Sequence, residues 1–170
     1  ICVDPLASSM SSRSCRVIRR AALDVDDHIV DFLNAGVGSG IDGLVDLARY
    51  SETAATTTRV RTVRLDTLLR DAPRVVDFLS IDTEGSEARI LGSFPFDTHC
   101  AAVIAIEIRG EHVKQKDVHR LLADRGYVYD GPAAWDDIFT RDCAPPPLLT
   151  VVAPAPGSPI ARSLAVSIAL

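Results

Sequence analysis

No run of lysine and arginine stands out in this 170-residue chain. Its 18 basic and 23 acidic residues give a formal net charge of −5. That argues against nucleic-acid binding, because phosphate contacts require a basic surface. No apolar run reaches the roughly 20 uninterrupted residues that a membrane-spanning helix needs, so no membrane partner is expected. There is no secretory signal and no internal repeat. The four cysteines, Cys2, Cys15, Cys100 and Cys143, form no C-x-x-C pair, so no structural zinc site is expected. Their wide spacing in an enzyme-like chain favours reduced thiols over disulfides; the compartment is left open, with the cytoplasm the favoured expectation. The first residue is Ile1, not methionine, and it opens directly on an apolar run, which suggests a fragment or processed chain.

What is present is the balance of a globular protein, 47% hydrophobic and 24% charged, in a length suited to one domain. Ile1-Cys2-Val3 predicts a buried strand stopped at Asp4-Pro5. Cys15 to Ile18 predicts a second, running into Ala21-Ala22-Leu23, and His28 to Leu33 a third. A glycine-containing segment, 34–43, precedes a short helix expected over 44–50. Arg59 to Leu65 alternates polar and apolar residues, the period of a half-buried strand. Val75 to Ile81 is a strong strand signal, and a helix is expected from Glu87 through Leu91. Ala101 to Ile108 is almost continuously apolar, as in a central parallel strand covered on both faces. Glu111 to Arg125 carries Val113, Val118, Leu121 and Leu122 on one side, the pattern of an amphipathic helix, with Gly126 as its C-terminal stop. Residues 127–129 and 138–140 predict late strands. Prolines at 145–147, 154, 156 and 159 make 144–170 a poorly ordered tail by expectation. The division is therefore a domain over 1–143 and a Pro-rich tail over 144–170. Alternating strands and helices imply an α/β fold with a largely parallel sheet, whose ligands bind beyond the carboxyl ends of its strands.

That rule singles out Asp4, Ala21-Ala22, the run Asp82-Thr83-Glu84-Gly85-Ser86-Glu87, and Glu107. Asp82 sits where a buried strand ends, a costly place for a carboxylate without a partner. Gly85 lets the backbone turn sharply. Glu84 and Glu87 lie three apart and suit the start of a helix, where acids complement the dipole. Glu107 interrupts an apolar strand; it is either salt-bridged, with Arg109 as the candidate partner, or faces the same crevice as Asp82. An acid at the position of Asp4 can accept hydrogen bonds from ribose hydroxyls in a nucleotide-binding sheet, though any strand may end in Asp.

The stretch from Val60 to Leu91 reads VRTVRLDTLLRDAPRVVDFLSIDTEGSEARIL. It resembles the signature of FkbM-type methyltransferases, an L-D-x-L-L segment followed by a strand of the type I-D-x-L-K-I-D-x-E-G-x-E. Leu65, Asp66, Leu68, Leu69, Asp77, Leu79, Ile81, Asp82, Glu84, Gly85, Glu87 and Leu91 carry the match; Ser80 stands where lysine is frequent. Val3-Asp4-Pro5 is similar to the family's V-E-P, Ala105 to Ile108 to its E-I strand end, Leu121 to Tyr127 to its L-L-x-x-x-G-Y, and Trp135 to Arg141 to its closing D-x-x-F segment. The resemblance spans about residues 1–141.

It implies a Rossmann-like methyltransferase fold with a mostly parallel sheet. It further implies S-adenosylmethionine as methyl donor and a hydroxyl oxygen of a small molecule or glycan-like compound as acceptor. Asp4 and Asp82 would contact the donor, Ala21 and Ala22 would border its adenine, and Asp82, Glu84 and Glu107 would face the methyl-transfer centre. The family's first strand and its D-x-G-A-N-x-G loop are missing from the sequence. Gly36-Val37-Gly38-Ser39-Gly40 does not substitute for the loop, because the preceding acid, Asp31, stands five residues before the first glycine rather than two. His112 and His119 are candidate bases, read more simply as packed or surface residues. No resident metal is expected, although Asp82 and Glu107 would suit a divalent cation. Rival readings are an inactive binding domain and a metal-dependent hydrolase using Asp82, Glu84 and Glu107. Oligomeric state is left open.

Overall fold

The apolar runs are short and closely punctuated, and they give short elements. The computed structural model describes residues 1–7, 14–45, 56–108, 112–144 and 165–169. In chain order the strands are β1 (Cys2–Val3), β2 (Val17–Ile18), β3 (Ala21–Ala22), β4 (Ile29–Asn34), β5 (Gly40–Ile41) and β6 (Thr56–Val63). Helix α1 (Leu65–Leu69) precedes β7 (Val75–Asp82), and α2 (Glu87–Gly92) precedes β8 (Cys100–Glu107). Helix α3 (His112–Asp124) leads to β9 (Val128–Ala133), β10 (Asp136–Thr140) and finally β11 (Ala165–Ala169). The long helix stops where Gly126 adopts φ +78, and Tyr127 N–H closes its last turn on the Leu122 carbonyl at 3.0 Å. Of the helix expected over 44–50, residues 46–50 lie outside the described residues.

Two sheets form. The larger runs in the order β2-β1-β11-β7-β8-β10-β9 and the smaller in the order β3-β6-β4-β5. In the larger, β2, β1, β11, β7 and β8 are mutually parallel. Strand β10 is antiparallel to both β8 and β9. In the smaller sheet β3 pairs parallel with β6, while β4 is antiparallel to β5 and β6. The expectation of one mostly parallel sheet therefore needs correcting. The sheets are mixed and the described helices are few: β4 runs antiparallel to β5 and β6, and β10 to β8 and β9.

The main core lies along the larger sheet. Leu79, Ile81, Ile104, Ile106 and Ile168 are fully enclosed together with Leu65, Leu69, Ile90, Leu91 and Leu122 from the three helices. Burying each such side chain contributes about 2 kcal/mol. Ala21, Leu23, Phe32 and Ile41 form a smaller cluster in the second sheet.

The C-terminal stretch departs from its expected disorder. Residues 145–164 lie outside the described residues, but Ala165–Ala169 is a strand between β1 and β7. Val166 and Ile168 are both 0% exposed. The alternation Ala-Val-Ser-Ile-Ala has the period of a strand, and it comes only after the last proline.

The cysteines also depart from expectation, since they are disulfide-bonded rather than reduced. Cys2 pairs with Cys15 across a Cα–Cα distance of 5.9 Å, and Cys100 with Cys143 across 5.6 Å. Adjacent strands supply the proximity. Cys2 N–H bonds to the Arg16 carbonyl at 3.0 Å, and Arg141 N–H bonds to that of Ala102 at 3.0 Å. Each pairing thus follows from a strand lying beside its neighbour, which sequence spacing alone does not show. Thiol titration of the denatured, unreduced chain should find no reactive thiol. Replacing Cys100 and Cys143 together by alanine should cost about 3 kcal/mol of stability, lowering the melting temperature by roughly 10 °C in a thermal melt.

Candidate active site

The parallel strands β1, β11, β7 and β8 all end on one edge of the larger sheet. Asp4 follows β1, Asp82 ends β7 and Glu107 ends β8. Carboxylate oxygens of Asp82, Glu84 and Glu107 lie within 4.8 Å of one another. These are the three residues expected at the reacting centre, and the fold brings them together. Arg109, the expected partner of Glu107, lies outside the described residues.

The turn holding Asp82 and Glu84 is built by Glu87. Its buried Oε1 accepts the Thr83 N–H at 3.1 Å, the Thr83 hydroxyl at 3.0 Å and the Gly85 N–H at 2.9 Å. Ser86 adds a hydroxyl bond to Thr83 Oγ1 at 2.9 Å. This lattice holds Glu84 at φ +52 and Gly85 at φ +130. The left-handed region costs a residue with a side chain roughly 1–2 kcal/mol. Glu87 is therefore a scaffold for the turn more than a dipole partner of α2. From the other side, β5 packs close: a Cβ placed on Gly40 would stand 3.1 Å from the Val45 Cβ and 3.6 Å from the Thr83 carbonyl oxygen. The Gly36–Gly40 segment belongs to the smaller sheet and its 3-10 turn, and its last glycine leaves room for the Val45 side chain.

Asp4 is buried, and its Oδ1 accepts the N–H groups of Leu6 and Ala7, both at 2.8 Å. That bond pair fixes the turn leaving β1, in which Ala7 adopts φ +52. Ala21 and Ala22 are buried at 0% and 2% exposure, Ala21 in the smaller cluster and Ala22 in the main core, where they pack rather than present a surface. His119 is held away in a separate cluster. Its Nε2 lies 2.7 Å from Asp137 Oδ2, while the Tyr129 hydroxyl donates to Asp137 Oδ1 at 3.0 Å. It is a packed histidine, as its helical setting suggested. The side chain of His112 lies outside the described residues.

One acid at this edge was not singled out from sequence. Asp136 opens β10 directly opposite Glu107, and opposed residues of an antiparallel pair share a face. The D-x-x-F match marked its position, but only the antiparallel register sets it beside Glu107. The stretch of edge from β7 to β10 thus carries four acids, three of them with carboxylate oxygens within 4.8 Å of one another, a charge density that favours a cation, a shared proton or a hydroxyl donor in their midst.

A further acid braces the site from outside. Asp24 receives two bonds from the Arg89 guanidinium, Nε to Oδ2 at 3.1 Å and NH2 to Oδ1 at 2.6 Å, tying the end of β3 to α2. The Arg89 hydrogen bonds hold the Asp24 carboxyl below the usual carboxylate range, and those of Arg64 do the same for Asp66. Both pairs are near 40% exposed, so solvent screening limits each to about 1 kcal/mol or less. Because the folded values are depressed, this stability is present above the ordinary aspartate range and is lost as pH falls through it. Melting temperature should drop by a few degrees between about pH 5 and pH 3, and Arg89→Ala should flatten part of that drop. Glu87→Ala, which removes three charge-assisted bonds, should cost roughly 3 kcal/mol in urea unfolding.

Residues 9–129 match the model of the Methyltransferase FkbM domain. Neither the curated proteins nor the solved structures yield a match. The matched span covers well over half of the chain and includes β7, the Asp82–Glu87 turn and β8. The domain match and the acids gathered by the fold agree, and the chain belongs to the FkbM methyltransferase family.

Proposed function

We propose that this chain transfers the methyl group of S-adenosylmethionine to a hydroxyl oxygen of a small-molecule or glycan-like acceptor. The observation that carries this reading is the shared edge. Asp4 stands at the end of β1, while Asp82, Glu84 and Glu107 stand at the ends of β7 and β8, with carboxylate oxygens of these last three within 4.8 Å of one another. In open sheets of parallel strands, ligands lie outside the carboxyl ends where the strand order reverses. Here β2 lies on one side of β1 and β8 on the far side of β7, so the reversal falls between Asp4 and Asp82. The residues present suit the donor: an acid for ribose hydroxyls on one side, and negative charge for a sulfonium on the other.

The bound donor would supply a methyl carbon on a positively charged sulfur, open to in-line displacement. Asp4 would accept hydrogen bonds from the ribose hydroxyls. Asp82 or Glu84 would hold the acceptor hydroxyl in line and take its proton, and Glu107 would keep that hydroxyl oriented. Alignment and proton removal are the two contributions that methyl transfer to oxygen requires. The partner is a small molecule; net charge argues against nucleic acid, and among the described residues no helix is long and apolar enough to cross a membrane.

A second reading rests on the same three carboxylates, which would also hold a divalent cation that acidifies the acceptor. Sensitivity of methyl transfer to EDTA selects it, and indifference removes it.

Calorimetric titration with S-adenosylhomocysteine should show micromolar binding. Asp4→Asn, which keeps the Oδ1 acceptor of the turn, should weaken it by about tenfold to a hundredfold. Asp82→Asn should lower methyl transfer to hydroxylated acceptors by at least about a hundredfold with donor binding changed far less. Absence of binding by the unaltered chain would sink the reading.

A further inference from the structure

Strand β11 occupies a position that no motif of the sequence announces. It is the only described strand in contact with both β1 and β7 in the larger sheet, and it is parallel to each. Its register is defined on both edges. Ser167 pairs with Cys2 and Ile168 with Val3 on one side; Ile168 pairs with Ile81 and Ala169 with Asp82 on the other. The end of β11 therefore reaches the carboxyl edge between Asp4 and Asp82. Nothing else in the sheet separates the two strands that carry these acids.

Adjacent strands lie about 4.8 Å apart, so one intervening strand holds β1 and β7 about 10 Å apart. A ribose diol and a sulfonium methyl are several bonds apart on the same donor. Acids on directly paired strands would crowd the two groups, and acids on unconnected halves would have no set distance. The strand order also reverses at β11, the place where a sheet of this kind opens a ligand crevice.

We propose that β11 is the spacer of the donor-binding crevice: its docking between β1 and β7 sets the separation of Asp4 and Asp82, so that donor binding and docking of the C-terminal strand are thermodynamically coupled. The proposal rests on the methyl-donor reading above and adds a positioning element to it. The positioning residues are Val166 and Ile168, whose side chains are fully enclosed in the main core and anchor the strand. A ligand that binds only the docked state must favour docking, and loosening the strand must weaken the ligand by the same factor.

The test uses the full chain and S-adenosylhomocysteine, with hydrogen exchange followed by mass spectrometry and affinity by calorimetry. Saturating ligand should slow exchange at 165–169 at least tenfold, together with the Asp4 and Asp82–Glu87 turns, and leave edge strand β9 unchanged. Ile168→Ala and Val166→Ala should each weaken ligand binding at least tenfold at a temperature far below melting, while Ile168→Val retains most of the affinity. Leu122→Ala in α3, also fully buried, serves as the control. It should lower the melting temperature comparably and leave affinity within about twofold, since distant core sites act independently. Ligand that binds and protects both turns but not 165–169, or that binds Ile168→Ala as tightly as the unaltered chain, overturns the spacer and leaves the methyltransferase reading standing. No binding to the unaltered chain overturns that reading, and the spacer with it.

Discussion

Hydrogen bonds on both edges of β11 make the larger sheet continuous. On one edge they join it to β1 and through β1 to β2; on the other they join it to β7 and through β7 to β8, β10 and β9. A strand with parallel neighbours on both edges has no solvent-facing ladder, and its apolar side chains belong to a core rather than to a surface. The main cluster reflects this, since Val3 from β1 and Ile81 from β7 enclose Ile168 between them. Because β1 carries the turn of Asp4 and β7 the turn of Asp82, the same ladder that stabilises the sheet also determines which functional groups share an edge.

That edge works against the economy of folding. Asp82, Glu84 and Glu107 bring carboxylate oxygens within 4.8 Å of one another where a core would prefer apolar side chains, and Glu84 occupies a backbone region that suits glycine. The compensation is local. Glu87 commits its carboxylate to three donors of the turn, and Arg89 fastens the helix behind it to Asp24. A strained, like-charged edge held by hydrogen bonds underneath is what a site looks like when geometry is fixed before the ligand arrives.

Much of this was legible in the residues. Val75 to Ile81 and Ala101 to Ile108 announced central strands because burial on both faces leaves an unbroken apolar run. Glu111 to Arg125 announced a helix because one face is apolar and glycine ends it. That Asp82, Glu84 and Glu107 would share one edge was legible because the acids follow or end predicted strands of a sheet. The role of Glu87 was not, since a side chain folding back on its own turn looks in sequence like any acid at a helix start. Asp136 and the two disulfides depend on register, on which residues face each other across strands far apart in the chain. Strand β11 has a visible period, Ala-Val-Ser-Ile-Ala, but the prolines before it gave its whole neighbourhood the character of a tail. In the smaller sheet β3, β4 and β5 lie outside the Val60–Leu91 stretch that carries the family likeness, and only the end of β6 enters it.

The position of β11 has a consequence for how the chain is made. A ribosome delivers β1 first and β7 some seventy residues later, yet both must wait for the strand that belongs between them. Until it arrives, each presents an open parallel edge, the kind of surface that pairs with the wrong chain. The strand that follows all the other described strands in the chain therefore closes the middle of the sheet rather than its rim. During synthesis the edges of β1 and β7 stay open, and the acids at their ends have no set separation, until β11 has been made.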